Sequence, residues 1–345
     1  LLRAIPGLRA TLAAGITTVR DAAYADVGLK RAIDLGLVEG PRLQISLIQI
    51  CPSGGPNDWR SPSGRPFVLG NPSIPSPVAE GVDGLRSKVR ELVHFGADVI
   101  KVFATGTFAA PRDGAKRVLY SDDELRAIVA QARALDVRVM AHAHGAEGVK
   151  AAARAGVDSV EHAFYLDDEA IAVMAEARTT LVPTLFAGFE MVEEATAKED
   201  GHELERLQAV ARGHSEAVGR AFAAGVPIAM GTDTAGAAHG RNLEELRLMV
   251  DAGLPPVEAL RSATLRAAGL LGMTDDIGAV EPGKRADLVV VEGDPLAFAD
   301  LGSRVRAVMK DGRLVSGELP RASGAAADRD GPRSSREPAR SARPV

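Results

Sequence analysis

Short apolar runs alternate with amphipathic stretches along most of this chain, and the alternation predicts repeated strand–loop–helix units. The pattern predicts strands at 16–21, 42–50, 97–104, 137–143, 158–163, 180–185 and 226–232. Helices are predicted between them at about 27–36, 80–95, 121–135, 146–155, 167–177 and 203–224, and beyond them at about 242–252 and 256–271. Leu2, Ile5, Leu8 and Leu12 recur at helical spacing before Gly15, so the chain opens on a helix. Gly15, Gly96, Gly156 and Gly225 each precede an apolar run, where a helix ends and the next strand begins.

Seven strands of this kind predict an α/β fold, a (β/α)8 TIM barrel without its first strand. The alternative is an open doubly wound sheet, but no glycine fingerprint opens the first βα turn. The barrel is expected over residues 1–277. From Gly278 the pattern changes: 286–291 and 305–309 read as strands, and Asp311-Gly312 as a hairpin turn. A small β-rich appendage is therefore expected over 278–316, followed by a disordered tail over 317–345 with almost no large apolar residues. The segment Cys51 to Pro77, rich in Pro, Gly, Ser and Asn, is long for a connection and reads as a functional loop or a surface excursion.

Candidate chemistry lies at the strand ends. Val99-Ile100-Lys101-Val102-Phe103, Ala141-His142-Ala143-His144, Val160-Glu161-His162 and Gly231-Thr232-Asp233 each close an apolar run with a group that can bind a metal. His142 and His162 lie 20 residues apart, one strand–helix–strand step. One polar group per successive parallel strand builds a site at the C-terminal mouth of a barrel. An amine in an apolar strand has a lowered pKa, and in its neutral form Lys101 can take up CO2 as a carbamate whose two oxygens can bridge cations. His142 and His144 face the same side of a strand; His142 is taken as the ligand and His144 as a neighbour or substrate contact. Glu161 is expected to face away from His162 and to pair outside. Asp233 is either a helix N-cap or a ligand that also moves protons. Imidazole and oxygen donors suit Zn²⁺, with Mn²⁺, Co²⁺ or Ni²⁺ as other choices. Arg20, Tyr120, Tyr165 and His239 are candidate contacts to a substrate carboxylate or carbonyl.

The chain has 345 residues, 46% hydrophobic, with a net charge of −5. That charge gives no basic face for nucleic acid, and no apolar run reaches the roughly 20 residues that span a bilayer. A single cysteine, Cys51, excludes an internal disulfide framework, and residues 1–20 lack a signal-type pattern. A cytoplasmic location follows as the expectation, and a homo-oligomer is compatible with it.

These phrases resemble the amidohydrolase superfamily, the urease-like metal-dependent hydrolases, and within it the prolidase-like and imidazolonepropionase-like branch. Gly15-Ile16-Thr17-Thr18-Val19-Arg20-Asp21, the Lys101 strand, His142-Ala143-His144-Gly145, Glu161-His162, Gly231-Thr232-Asp233 and Gly283-Lys284-Arg285-Ala286-Asp287 carry the resemblance from about Ile5 to Val315. It implies that residues 278–316 are the C-terminal part of a small β-sandwich, with a carboxylated Lys101 bridging two ions, His142 and His162 on the second metal, and Asp233 on the first metal as proton shuttle. It also implies that a bridging hydroxide cleaves an amide-type C–N bond in a dipeptide such as Xaa-Pro, an N-acyl amino acid or a cyclic amide. Two departures stand out. No His-x-His pair precedes Gly15, and Ser53-Gly54-Gly55-Pro56-Asn57-Asp58 lacks the histidine of a Gly-Gly-His-Gly-Asp phrase. The chain is thus expected to be N-terminally truncated, and the rival expectation is an inactive or degenerate scaffold. A one-metal deaminase of the same superfamily is a third reading, against which Lys101 argues.

Overall fold

The computed structural model describes residues 2–60, 75–108, 114–199, 201–234 and 239–319. Five strands form one parallel sheet in the order β3 (Gln49–Ile50), β4 (Val99–Phe103), β5 (Arg138–Gly145), β6 (Ser159–Tyr165) and β7 (Thr180–Val182). Before them, β1 (Thr18–Asp21) lies parallel to β2 (Arg42–Ile45). The two sheets join where Asp98 donates its amide to the Ile45 carbonyl, while its carboxylate accepts the Ile45 amide at 2.9 Å. On the far side, Leu181 of β7 donates to the Pro227 carbonyl and accepts from the Ala229 amide, so residues 227–229 take the next parallel position.

Strand positions therefore follow chain order from β1 to the 227–229 segment. Helices pack against this sheet, Lys101, Met140, Glu161 and Val182 of its strands line a cavity, and all five residues of β4 are buried. Among the described residues, no strand pairs with the outer edge of β1 or of the 227–229 segment. A cavity of about 510 Å³ occupies the space between them.

The helices are α1 (Ala4–Ala13), α2 (Val27–Asp34), α3 (Val82–His94), α4 (Asp122–Arg133), α5 (Ala146–Ala155), α6 (Asp168–Ala177), α7 (Leu185–Ala197), α8 (Gly201–Ala223), α9 (Glu244–Asp251), α10 (Pro256–Ala263) and α11 (Leu265–Leu271). Most match the sequence periodicity. Gly15, Gly96, Gly156 and Gly225 all adopt positive φ, between 83° and 93°, just beyond α1, α3, α5 and α8.

Several boundaries differ from expectation. The strand expected over 42–50 breaks at Leu47, whose φ of 66° turns the chain between β2 and β3. The strand expected over 180–185 ends at Val182, because Thr184 is left-handed and α7, absent from the sequence reading, starts at Leu185. The helix expected over 256–271 is interrupted at Thr264 (φ −122°, ψ −95°). The strand expected over 226–232 reduces to a short bridge with β7 at Ile228.

β8 (Leu288–Val291), β9 (Val305–Lys310) and β10 (Arg313–Gly317) form an antiparallel meander turned at Asp311-Gly312. Arg42 of β2 ties it to the barrel, donating to Asp287 at 2.9 Å and to Asp311 at 2.8 Å. The tail expected from 317 begins inside β10; its remainder from 320 lies outside the described residues, as do residues 61–74 of the long loop. Among the described residues no helix is long and apolar enough to cross a membrane.

Candidate functional site

Strand alternation puts His142 and His144 on one face of β5, and parallel pairing sets β6 beside it with His162 opposite Ala143. The three rings cluster, with centroids 4.3 Å apart for His142 and His144, 4.7 Å for His142 and His162, and 5.1 Å for His144 and His162. Phe103, Phe108 and Phe164 wall them in, at 4.6–5.1 Å from the nearest of these three rings. Burial drives all three pKa values down, His144 to about 3 and the other two well below the usual imidazole range. The rings are therefore neutral and carry a lone pair for a ligand.

Partners fix two of the three. His142 Nε2 lies 3.1 Å from the Gly106 carbonyl, which can only accept, so its proton sits there and Nδ1 is bare. His162 Nδ1 lies 2.8 Å from Thr184 Oγ1, a contact that suits a proton on Nδ1 and a free Nε2. His144 Nδ1 is buried with no hydrogen-bond partner, the one such side-chain atom among the described residues. A buried nitrogen without a partner is disfavoured unless something binds it.

The strand ends here are bent rather than straight. His162, Ala163, Thr184 and Asp233 all have φ between 52° and 75°. Each such residue costs about 1–2 kcal/mol of backbone energy, which the surroundings must offset. His214 of α8 donates Nε2 to the His162 carbonyl at 2.8 Å and stacks on Phe164. Glu245 of α9 is fully buried and accepts the Leu185 and Phe186 amides at 2.9 and 2.7 Å, capping α7 where Thr184 offers no side-chain cap. Gly231 lets the last strand approach β7: a Cβ there would stand 2.4 Å from Val182 Cγ1.

The other side of the site is charged. Lys101 of β4 is 3% exposed and, with Arg20, Glu161, His162 and Asp233, lines the cavity. Burial pulls the Lys101 pKa down to about 8, against the opposing charges of Glu161 and Asp233. The Asp233 carboxyl is raised by burial, with Lys101 acting in the other direction. Arg20 Nη2 bonds both Glu161 oxygens at 3.1 and 3.2 Å, and Ser159 Oγ donates to Glu161 at 2.6 Å. Glu161 thus pairs inside the molecule, not outside as its position next to His162 predicts. The left-handed turn at His162 ends the alternation that separates neighbouring side chains. Asp21, at the end of β1, is pushed up to about 6 by burial on the same wall.

Comparison with known proteins decides the lineage. Residues 6–315 match the model of the Amidohydrolase family. The chain belongs to the amidohydrolase family. It is similar to the ochratoxinase of Aspergillus niger, 32% identical over 88% of this chain and 66% of the relative. Among solved structures it resembles a Xaa-Pro dipeptidase with bound methionine in the active site (33% identity, 90% of this chain and 77% of that one, TM-score 0.80). It also resembles a prolidase complexed with N-methylphosphonate-L-proline (35% identity, 92% and 79%, TM-score 0.82). The chain spans about two thirds of the length of the curated relatives it matches. These neighbours support the α/β barrel and the prolidase-like branch expected from sequence.

In this amidohydrolase the four expected ligand positions fall around one region. Lys101, His162 and Asp233 line the cavity, and His142 joins them through its ring contact with His162. The donors are chemically apt for a divalent cation in a family that typically depends on metal: neutral imidazoles, a lysine with a lowered pKa, a carboxylate and an unpartnered buried nitrogen. Among the described residues no three His, Cys, Asp or Glu side chains stand ready-made around a cation, so the imidazoles alone do not define the centre.

The expected substrate contacts divide. Arg20 and His239 reach the cavity, His239 through a 3.2 Å contact with Thr11 of α1. His144 sits within the imidazole cluster. Tyr165 packs beside Phe108 with the Lys116 ammonium 4.4 Å over its ring, outside the cavity lining. Tyr120 is buried and its hydroxyl donates to the Ala79 carbonyl at 2.8 Å, which makes it part of the core rather than of the site. Thr184, His214 and Glu245 escaped sequence reasoning. His214 does carry a signal: Leu207, His214, Val218 and Ala221 fall on one buried stripe of α8.

Proposed function

We propose that this amidohydrolase hydrolyses an amide-type C–N bond in a small molecule, a dipeptide, N-acyl amino acid or cyclic amide, with divalent cations held by Lys101, His142, His162 and Asp233. The observation that carries this is the meeting of a buried lysine, a buried carboxylate and the neutral His162 imidazole on one cavity wall, with His142 in ring contact behind it. Bound Zn²⁺, or a similar ion, would supply Lewis acidity and lower the pKa of water toward neutrality. The lysine amine, with its pKa lowered to about 8, has a neutral fraction at physiological pH. That fraction could add to CO2, forming an N–C bond and releasing a proton, and the anionic carbamate would offer two oxygen donors to a cation where a buried ammonium offers none. Asp233, held upward by burial, takes a proton from water and returns it to the leaving nitrogen. Arg20, its charge matched by Glu161, lines the cavity and keeps further N–H groups that can meet a substrate carboxylate.

The test is a hydrolysis screen with dipeptides and N-acyl amino acids in the presence of Zn²⁺ and bicarbonate, alongside metal analysis. About two ions per chain and turnover lost on chelation are expected. Full metal loading without turnover on any amide would favour the inactive scaffold.

A further inference from the structure

The loop after β3 carries chemistry that the hydrolytic site does not use. Asn57 is buried, and its Nδ2 donates to the Gln49 carbonyl at 3.1 Å. Its Oδ1 accepts two aromatic donors: the Tyr24 hydroxyl and, at 2.6 Å, the Trp59 indole N–H. The same indole lies 3.3 Å from the Tyr24 hydroxyl. Asp58 pins the loop by accepting from the Gly54 amide at 2.8 Å and pairing with Arg60.

Both rings are nevertheless open to solvent, Tyr24 at 50% and Trp59 at 52%. Tyr24 also holds φ at 73°, a rare conformation for a bulky residue, with its amide bonded to the Leu47 carbonyl at 2.8 Å. Tyr24 lines the cavity that contains Lys101 and Asp233. A strained, exposed aromatic locked by a buried amide has no use in a core, since its apolar face is left in water. It suits a ligand ring that covers that face.

We infer that Tyr24 and Trp59, clamped by Asn57, form an aromatic platform at the cavity rim that receives an aromatic or large apolar side chain of the substrate. This rests on the amide-hydrolase reading and adds a substrate class to it: amides of aromatic amino acids over amides of glycine.

The chain contains one tryptophan, so its fluorescence reports Trp59 directly. Titration with N-acetyl-L-phenylalanine is expected to give a saturable change in that emission, with affinity about tenfold above N-acetylglycine, or about 1.4 kcal/mol. Tyr24→Gly relaxes the backbone while removing the ring, and is expected to cut that preference at least threefold. Asn57→Ala should do the same by releasing both rings. Equal affinity for the two ligands, or binding seen by calorimetry with unchanged emission, overturns the platform. Absence of hydrolysis across the substrate screen with the binding preference intact would end the hydrolase reading and leave the platform standing. Turnover of glycine and phenylalanine amides with equal kcat/KM would end the platform alone.

Discussion

On the β5–β6 side of the site, three imidazoles sit in an aromatic wall, and carbonyl and hydroxyl groups fix two of them. On the β1 side, Lys101, Arg20, Glu161 and Asp233 face a cavity beside two strand edges that pair with nothing among the described residues. The first half is preorganised by packing, and its imidazoles are kept neutral chiefly by burial, with Lys101 pushing the same way. The second is held by electrostatics in a poorly solvated space and is sensitive to every charge it contains. Neutral donors can be assembled by the core alone, whereas a buried lysine and carboxylate must answer to each other.

Removing the lysine tests the charged half most severely. Lys101→Ala is expected to lower turnover on the order of 10³-fold, several kcal/mol of transition-state stabilisation, with reduced metal content by elemental analysis. Unchanged turnover would remove Lys101 from the centre. Next comes the Arg20–Glu161 pair, nearly enclosed at 9% and 6% side-chain exposure. Glu161→Ala leaves a buried guanidinium unpaired and is expected to destabilise the fold by about 3–5 kcal/mol in urea unfolding. The double variant Arg20→Met, Glu161→Leu should lose much less than the sum of the singles; additive losses would show the pair to be uncoupled.

In the imidazole half the expected effects are smaller. Thr184→Gly keeps the left-handed backbone but deletes the hydroxyl beside His162. Metal affinity is expected to fall roughly 10–100-fold, measured by competition with a chelator. Equal affinity would make Thr184 a backbone feature only. A separate effect, spread over several pH units, is on stability against pH. Burial raises the Glu245 carboxyl to about 8 from 4.5. The folded state holds that proton to about pH 8 while the unfolded chain releases it near 4.5, so stability falls as pH rises across this interval and levels off above it. The slope from this group is at most about 1.4 kcal/mol per pH unit, and Glu245→Gln should flatten it; an identical pH profile would show that Glu245 does not titrate there.

Much of this was readable from the chain. The succession of βα units, the glycine helix stops and the order Lys101, His142, His162, Asp233 follow from periodicity and from chemistry at strand ends. What escaped lies where a residue other than glycine adopts a positive φ. Leu47 splits a strand, Thr184 ends one, and His162 turns Glu161 inward, yet none of these residue types announces such a conformation. Tyr120 was misplaced because an aromatic hydroxyl looks the same in sequence whether it bonds a backbone carbonyl or a ligand. Tyr24 and Trp59 were passed over because exposure is set by distant neighbours, not by local pattern.

Those left-handed residues have an evolutionary corollary. At Tyr24, Thr184 and Asp233 a glycine would relax the chain, so each of these side chains carries a conformational cost that glycine would not. Laboratory selection for heat tolerance alone would be drawn to these sites early, and the metal and substrate binding of the hardier proteins it yielded would show whether the strain serves the proposed site.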